Sequence, residues 1–120
     1  MFKNTLMVGI GSFVGGVLRY LVSLLMKWSG NGFPWATFTV NLLGCLLIGL
    51  LWGWGSRLLS PQWMLLLSVG LCGGFTTFST FSKESLMLLQ GGSYWMFALY
   101  IAGSVVLGIG ATAIGWQLTK

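Results

Sequence analysis

The amino-acid sequence predicts an all-α membrane protein, a single domain of four transmembrane helices over residues 1–120. Its residues are 56% hydrophobic and 6% charged, and the mean hydropathy is +0.89. Soluble domains carry about 25% charged residues, so this chain has too few charges for a water-exposed surface. Four apolar segments also reach the length of about 20 residues that a spanning helix needs.

The predicted spans follow one another along nearly the whole chain, separated by short connections that favour antiparallel neighbours. Tryptophan concentrates at membrane interfaces and provides an independent check, because every tryptophan lies near a predicted span end. The spans are Asn4–Met26, Trp35–Trp54, Trp63–Leu89 and Tyr94–Leu118. The tryptophans are Trp28, Trp35, Trp52, Trp54, Trp63, Trp95 and Trp116.

Small residues recur four positions apart in all four spans, at Gly11/Gly15, Ser12/Gly16, Gly49/Gly53, Gly70/Gly74, Ser104/Gly108 and Ala111/Gly115. This pattern lets helix backbones approach closely in lipid. Arg19 lies late in the first span. Its long side chain allows it to snorkel to the interface, to contact a neighbouring helix or to form an electropositive mouth.

The second span carries polar side chains at Thr37, Thr39 and Asn41. Thr37 and Asn41 are four residues apart and therefore share a helix face. Polar groups within a span are costly and usually face a cavity, a partner helix or the interface. Asn41 is the strongest candidate here, and a plain helix–helix hydrogen bond is the alternative.

The third span contains the stretch "GGFTTFSTFSKES", residues 73–85. Two glycines followed by two threonines form a helix poorly, so we expect a break. A break would free backbone carbonyls in the membrane, where irregular backbone must be buried in protein or face a wet cavity or an ion. Carbonyl oxygens suit Na⁺ or K⁺. The alternative is a glycine kink that threonine hydroxyls stabilise.

Phenylalanines recur every three residues in this stretch, at Phe75, Phe78 and Phe81. Aromatic edges are electropositive, and neighbouring hydroxyls donate hydrogen bonds, so the combination suits an anion. A cation path would need more carboxylates than Glu84 alone, and simple packing is the alternative for the rings. The interleaved hydroxyl residues are Ser79, Thr80 and Ser82.

The fourth span places Tyr100, Ser104, Gly108 and Thr112 at intervals of four. This spacing predicts a stripe of hydroxyls down one face of an apolar helix. Such a stripe lines a pore, or its serine and threonine bond the carbonyls of their own helix.

The charges argue against several classes of function. The cations are scattered without a basic block, which argues against nucleic-acid binding. The chain has no histidine and one acidic residue, which argues against a metal-dependent or histidine-based enzyme. Cys45 and Cys72 lie in apolar runs and are interpreted as packing residues without a disulfide.

The cations also give little direction to membrane insertion. Three lie on each side of the predicted bundle, so the positive-inside rule is nearly balanced. A chain with so weak a bias is able to insert both ways, which favours an antiparallel homodimer. One side has Lys3, Arg57 and Lys120, and the other has Arg19, Lys27 and Lys83.

Three stretches of the sequence resemble the Fluc/CrcB family of fluoride channels. "GGFTTFSTFSKE" closely resembles the third-span motif of that family, "GSFVGGVLRY" its first-span region and "WATFTVNLLGCLLIG" its second-span pattern. The resemblance covers nearly the whole chain. It implies a passive, fluoride-selective channel without enzymatic activity or an organic cofactor.

The resemblance further implies a dual-topology antiparallel homodimer with two fluoride pores. A structural Na⁺ would be held by the main-chain carbonyls of Gly73 and Thr76 from each chain. Gly108 departs from relatives that carry a hydroxyl at that position. The residues that match the family's permeation path are Asn41, Phe78, Phe81, Ser104 and Thr112, with Tyr100 and Glu84 beside it and Arg19 in the first span. Thr37, Ser79 and Thr80 complete the candidate pore residues.

The expected partners are fluoride, membrane lipid and a second copy of the chain, in a multi-pass protein of the bacterial inner membrane. One alternative is a small proton-coupled multidrug or anion exporter, for which Glu84 is the sole titratable candidate. The other is a non-transporting assembly subunit, for which the packing glycines would be sufficient.

Overall fold

The computed structural model describes residues 1–27 and 32–120, the side chain of Ser56 excepted. Those residues form helices and connections without a strand. The elements are α1 (Phe2–Leu25), α2 (Trp35–Leu58), α3 (Pro61–Met64), a π-helical segment (Leu65–Cys72), α4 (Gly73–Phe75), α5 (Phe78–Gln90) and α6 (Tyr94–Thr119).

The four predicted spans are confirmed as helices that are long and apolar enough to cross a membrane. The longest extent of the chain is 47 Å, close to the roughly 40–45 Å of a bilayer with its headgroups. The chain is therefore a multi-pass membrane protein. The predicted interfacial tryptophans are exposed or partly exposed at helix ends, except Trp28, which lies outside the described residues.

Local sequence signals account for several helix ends. Pro34 directly precedes α2, and Pro61 is the first residue of α3, where a missing N–H costs little. The Ser60 hydroxyl accepts a hydrogen bond from the Trp63 amide and caps α3. Gly92 has a φ of 80° between α5 and α6, a left-handed conformation that favours glycine.

The first and third spans pack closely through their small residues, a pairing of helices that the spacing alone does not predict. A methyl group added at Gly15 would lie 2.8 Å from the backbone nitrogen of Phe75, and one added at Gly70 would lie 2.9 Å from Cα of Gly11. Gly74 likewise faces the backbone of α1. Bare backbone therefore meets bare backbone, the arrangement that small residues allow in lipid.

A second helix pair consists of α2 and α6. Gly49 and Gly115 each lie against the backbone of the opposite helix. At the end of the pair, the Arg57 guanidinium donates a hydrogen bond to the backbone carbonyl of Thr119. Arg57 is in the last turn of α2 because this helix extends past the predicted end at Trp54 to Leu58.

The third span is not uniform along its length. Its first half contains the π-helical segment Leu65–Cys72, which the sequence analysis does not predict. Between α4 and α5, Thr76 and Thr77 have extended backbone, with ψ values of 156° and 122°. Thr77 caps α5, since its hydroxyl accepts a hydrogen bond from the Thr80 amide.

Candidate functional site

A groove of about 480 Å³ runs beside the extended residues of the third span, and we call it the central groove. It collects residues from α2, from both halves of the third span and from α6. Its lining residues are Asn41, Gly44, Cys45, Ile48, Ser68, Cys72, Gly73, Thr76, Thr77, Phe78, Phe81, Ser104 and Val105.

The Asn41 side chain pairs with the backbone of Thr77 through both of its amide atoms. Oδ1 accepts a hydrogen bond from the Thr77 amide at 2.9 Å, and Nδ2 donates to the Thr77 carbonyl at 3.3 Å. The Asn41 side-chain amide thus satisfies both backbone groups of Thr77, as the backbone of a neighbouring strand would. One N–H of Nδ2 is committed to this pairing, and an amide NH₂ has a second.

The extended residues release two carbonyl groups from the helical hydrogen-bond ladder. In an uninterrupted α-helix, the carbonyls of Gly73 and Thr76 would accept from the amides of Thr77 and Thr80. The first of these amides instead donates to Asn41, and the second to the Thr77 hydroxyl at 3.2 Å. Both carbonyls belong to residues that line the central groove. Carbonyl oxygens are suitable ligands for an alkali cation, so these two residues fit the predicted cation site chemically.

Arg19 binds one of the two carbonyls that lie between these, that of Gly74. Its Nε donates to the Gly74 carbonyl at 3.3 Å, and this contact joins α1 to the end of α4. The arginine is part-buried. Of the roles expected for it, contact with a neighbouring helix is present, and Arg19 also lines the cavity described below.

Of the three predicted phenylalanines, Phe78 and Phe81 line the central groove and Phe75 does not. The ring centroids of Phe78 and Phe81 lie 5.9 Å apart, and those of Phe81 and Tyr100 lie 4.9 Å apart. Phe78 is 78% exposed in the single chain, whereas Tyr100 is completely buried. Phe81 therefore has a packing role within the chain that Phe78 lacks.

A second cavity, of about 360 Å³, adjoins the other side of the extended residues. It is lined by two cations and the single carboxylate of the chain together with hydroxyl groups. We call it the Glu84 cavity, and its lining residues are Arg19, Ser23, Met26, Lys27, Ala36, Thr37, Val40, Thr77, Thr80 and Glu84.

Tyr100 connects this cavity to α6. Its hydroxyl donates to Glu84 Oε1 at 2.8 Å. Thr37 and Asn41 share a face of α2, as predicted, but they line different cavities. Thr77 lines both and separates them.

The predicted hydroxyls of α6 differ in their hydrogen bonding. Thr112 Oγ1 donates to the Cys45 carbonyl at 3.0 Å, so this hydroxyl holds α6 to α2. Ser104 Oγ is buried and has no hydrogen-bond partner among the described residues. Gly108, between them, lies against the Cys45 sulfur, 3.3 Å from where a Cβ would be. Ser104 lines the central groove, and all three residues line a smaller adjoining one.

The structure brings most of the predicted site residues together around the extended segment, with three exceptions. Thr112 lines neither of the two cavities beside that segment and instead bonds α2. Ser79 is exposed, and its hydroxyl contacts the Thr77 hydroxyl at 3.4 Å outside both cavities. Tyr100 is too deeply buried to line a surface, and it acts through its hydroxyl.

Sequence reasoning missed two residues of this site. Thr77 pairs with Asn41 and caps α5. Threonine is a favoured N-cap residue, so its position after the two glycines was an available signal for the start of a new helix. Gly44 lets α2 approach the third span, because a Cβ there would collide with the methyl group of Thr76. The sequence gives no local signal for that contact, since it joins residues from different helices.

Comparisons with known proteins agree with these observations. The family model described as "CrcB-like protein, Camphor Resistance (CrcB)" matches residues 6–116. Three relatives, each called "Fluoride-specific ion channel FluC", are similar over nearly their full lengths. The protein of Phocaeicola vulgatus is 50% identical, over 98% of this chain and 99% of its own. That of Chlorobaculum tepidum is 48% identical, over 100% and 97%. That of Oceanobacillus iheyensis is 48% identical, over 97% and 91%.

The family match spans all four helices and the whole of the central groove. Relatives at about half identity cover the same range without a large insertion or a missing segment. The chain therefore belongs to the CrcB-like protein family.

Proposed function

We propose that the chain is a fluoride-selective passive ion channel that lets fluoride leave the bacterial cytoplasm across the inner membrane. The observation that carries this proposal is the similarity, over nearly full length, to proteins called fluoride-specific ion channels. The central groove supports it with chemistry, because its polar groups include hydrogen-bond donors and its lining residues include no carboxylate.

Fluoride is small and strongly hydrated, so an ion that enters the membrane needs donors in place of water. The second N–H of Asn41, the buried Ser104 hydroxyl and the edges of Phe78 and Phe81 are the candidate replacements. These donors have no formal charge, so they bind an anion weakly enough to release it. Thr112, Tyr100, Thr37, Ser79, Thr80 and Glu84 complete the proposed path and its surroundings.

The groove is open in a single chain, and Gly73 and Phe78 in its lining are exposed. A second, antiparallel copy that covers this face would close the groove and form two pores per dimer. The nearly balanced cations of the chain support insertion in both orientations.

The same arrangement accounts for the proposed Na⁺. The released carbonyls of Gly73 and Thr76 from two chains would provide four hard oxygen ligands, without any charged side chain. When bound, Na⁺ supplies a buried positive charge that holds the two third spans together. Within the chain, Arg19 fixes the backbone between these two carbonyls, at Gly74, and Asn41 fixes it after them, at Thr77.

The physiological role follows from acid–base chemistry. Neutral hydrogen fluoride crosses bilayers, dissociates in a less acidic cytoplasm and leaves fluoride trapped. A passive anion pore lets fluoride leave down its electrochemical gradient, and a negative-inside potential favours exit.

Fluoride efflux from liposomes that contain only the purified chain tests this function. Efflux should follow an imposed potential, should not require a proton gradient and should greatly exceed chloride efflux. Empty liposomes are the control. Absence of flux would favour an assembly subunit, and flux that depends on a proton gradient would favour an exporter. Replacing Na⁺ with N-methyl-D-glucamine should reduce efflux if the proposed cation is structural.

A further inference from the structure

The relation between Asn41 and the released carbonyl of Gly73 has a direct geometric basis. The amide of Thr77 has two possible acceptors, the Gly73 carbonyl of an uninterrupted helix and Asn41 Oδ1. It donates to Asn41 at 2.9 Å. The hydrogen bond that would close the helix is therefore replaced by one to another span.

The pairing is two-sided, which distinguishes it from an incidental contact. Asn41 Nδ2 also donates to the Thr77 carbonyl at 3.3 Å, so the amide plane is matched to extended backbone at both ends. Thr77 has φ −148° and ψ 122°, the conformation in which an amide and a carbonyl of one residue point the same way.

The position of α2 is adapted to this contact. Gly44 lies three residues after Asn41 and therefore on the same helix face. A Cβ at Gly44 would collide with the Thr76 methyl group, so glycine permits α2 to approach the extended segment. Val40, beside Asn41, is 2% exposed, so α2 is closely packed at this position.

From these contacts we infer that Asn41 is a positioning residue for the cation site: by binding the Thr77 amide, it keeps the Gly73 carbonyl available as a cation ligand. The inference rests on the proposed function. Asn41 would then serve both ions. Its Oδ1 keeps the cation ligand available, and the second N–H of Nδ2 is a candidate donor to fluoride in the central groove. Loss of Asn41 would leave the Thr77 amide either unpaired within the membrane or free to bond Gly73, and both outcomes weaken the cation site.

The test separates cation binding from anion flux. The purified protein is prepared in N-methyl-D-glucamine salt and titrated with Na⁺, and its thermal midpoint is followed by tryptophan fluorescence. The wild type should gain stability with Na⁺. In Asn41→Ala, the Na⁺ concentration for the half-maximal shift should rise by about fivefold or more, as expected for the loss of one hydrogen bond that fixes a ligand.

Asn41→Asp is the discriminating variant, because a carboxylate oxygen still accepts from the Thr77 amide, whereas the bond from Nδ2 to the Thr77 carbonyl and the donor to fluoride are both lost. It should still gain stability with Na⁺ while its fluoride flux falls. This variant also keeps the test decisive if Asn41→Ala does not fold. Thr39→Ala, on the same helix but outside both cavities, should leave the Na⁺ response and the flux unchanged.

A wild-type half-maximal Na⁺ concentration in Asn41→Ala, or complete loss of the Na⁺ response in Asn41→Asp, would overturn the inference and leave the channel proposal intact. A wild-type protein that conducts fluoride but does not respond to Na⁺ would refute the cation site and the inference with it. A wild-type protein that responds to Na⁺ but does not conduct would refute the channel while the positioning role of Asn41 is still measured.

Discussion

The Tyr100 hydroxyl donates a hydrogen bond to Glu84 Oε1 over 2.8 Å and joins α6 to α5 inside the helix bundle. The only carboxylate side chain of the chain is thus part of a structural contact at the edge of a cavity that also contains Arg19 and Lys27. An exporter coupled to protons would need this group to bind and release them during transport. A passive channel needs it only as a hydrogen-bond acceptor.

Replacing Glu84 with glutamine distinguishes these two roles. Glu84→Gln retains an acceptor oxygen for Tyr100, so we expect fluoride efflux to fall by less than about tenfold, equivalent to about 1.4 kcal/mol. Efflux from liposomes should not respond to a proton gradient in either protein. Tyr100→Phe is the companion variant, since it removes the hydrogen bond that Glu84→Gln retains. Complete loss of transport in Glu84→Gln, with proton-coupled transport in the wild type, would support the exporter.

Substitutions of the two phenylalanines that line the central groove should distinguish effects on fluoride flux from effects on stability. Phe78→Ile removes a ring that is 78% exposed in the single chain, so fluoride flux should fall with little change in the monomer fold. Phe81→Ile also removes the ring contact with Tyr100 at 4.9 Å, which should cost a further 0.5–1.5 kcal/mol or so of stability. Efflux and thermal unfolding measure the two effects. Unchanged flux in both variants would exclude an aromatic path.

The α6 hydroxyls provide a second separation of this kind. Ser104→Ala removes a buried hydroxyl without a protein partner among the described residues, so stability should be unchanged or slightly higher while flux falls. Thr112→Val removes the hydrogen bond to the Cys45 carbonyl, which should cost about 0.6 kcal/mol. Ser104→Thr, which retains the hydroxyl, controls for the first change. A large stability loss in Ser104→Ala would indicate that this hydroxyl has a structural partner instead of a role in permeation.

Glycine packing between α1 and the third span offers a prediction with a matched control one residue away. Gly15→Ala places a methyl group 2.8 Å from the Phe75 backbone nitrogen and should destabilise the protein by about 1–3 kcal/mol. Gly16→Ala meets no atom within 4 Å and should have little effect. Thermal unfolding in detergent compares them, and equal midpoints would mean that the helices are less closely packed than described.

The spans were predictable because hydropathy, segment length and tryptophan position all depend on the same boundary, the one between the hydrocarbon core of the membrane and water. Glycine spacing also indicated close backbone approach, and Gly11 and Gly15 do meet Gly70 and Gly74, but the spacing did not indicate which helices pair. These signals are local or periodic, and a single sequence expresses them directly.

Other features depend on which helices become neighbours. Asn41 was recognisable as a costly polar group, but its partner is the backbone of Thr77, and backbone atoms leave no trace in a sequence pattern. The hydroxyl stripe of α6 was predicted from spacing alone, and only the contact with Cys45 distinguishes Thr112 from Ser104. The π-helical segment packs against α1, and no local signal in its own residues predicted it.

The backbone contact between α1 and the third span also limits how a damaging mutation there is repaired. Ordinarily, an enlarged core residue is tolerated after a neighbour is shortened, and genetic screens recover such second-site suppressors. Opposite Gly11 and Gly15, however, the nearest atoms belong to main chain and not to side chains. A selection for suppressors of substitutions at these positions should therefore yield true revertants almost exclusively.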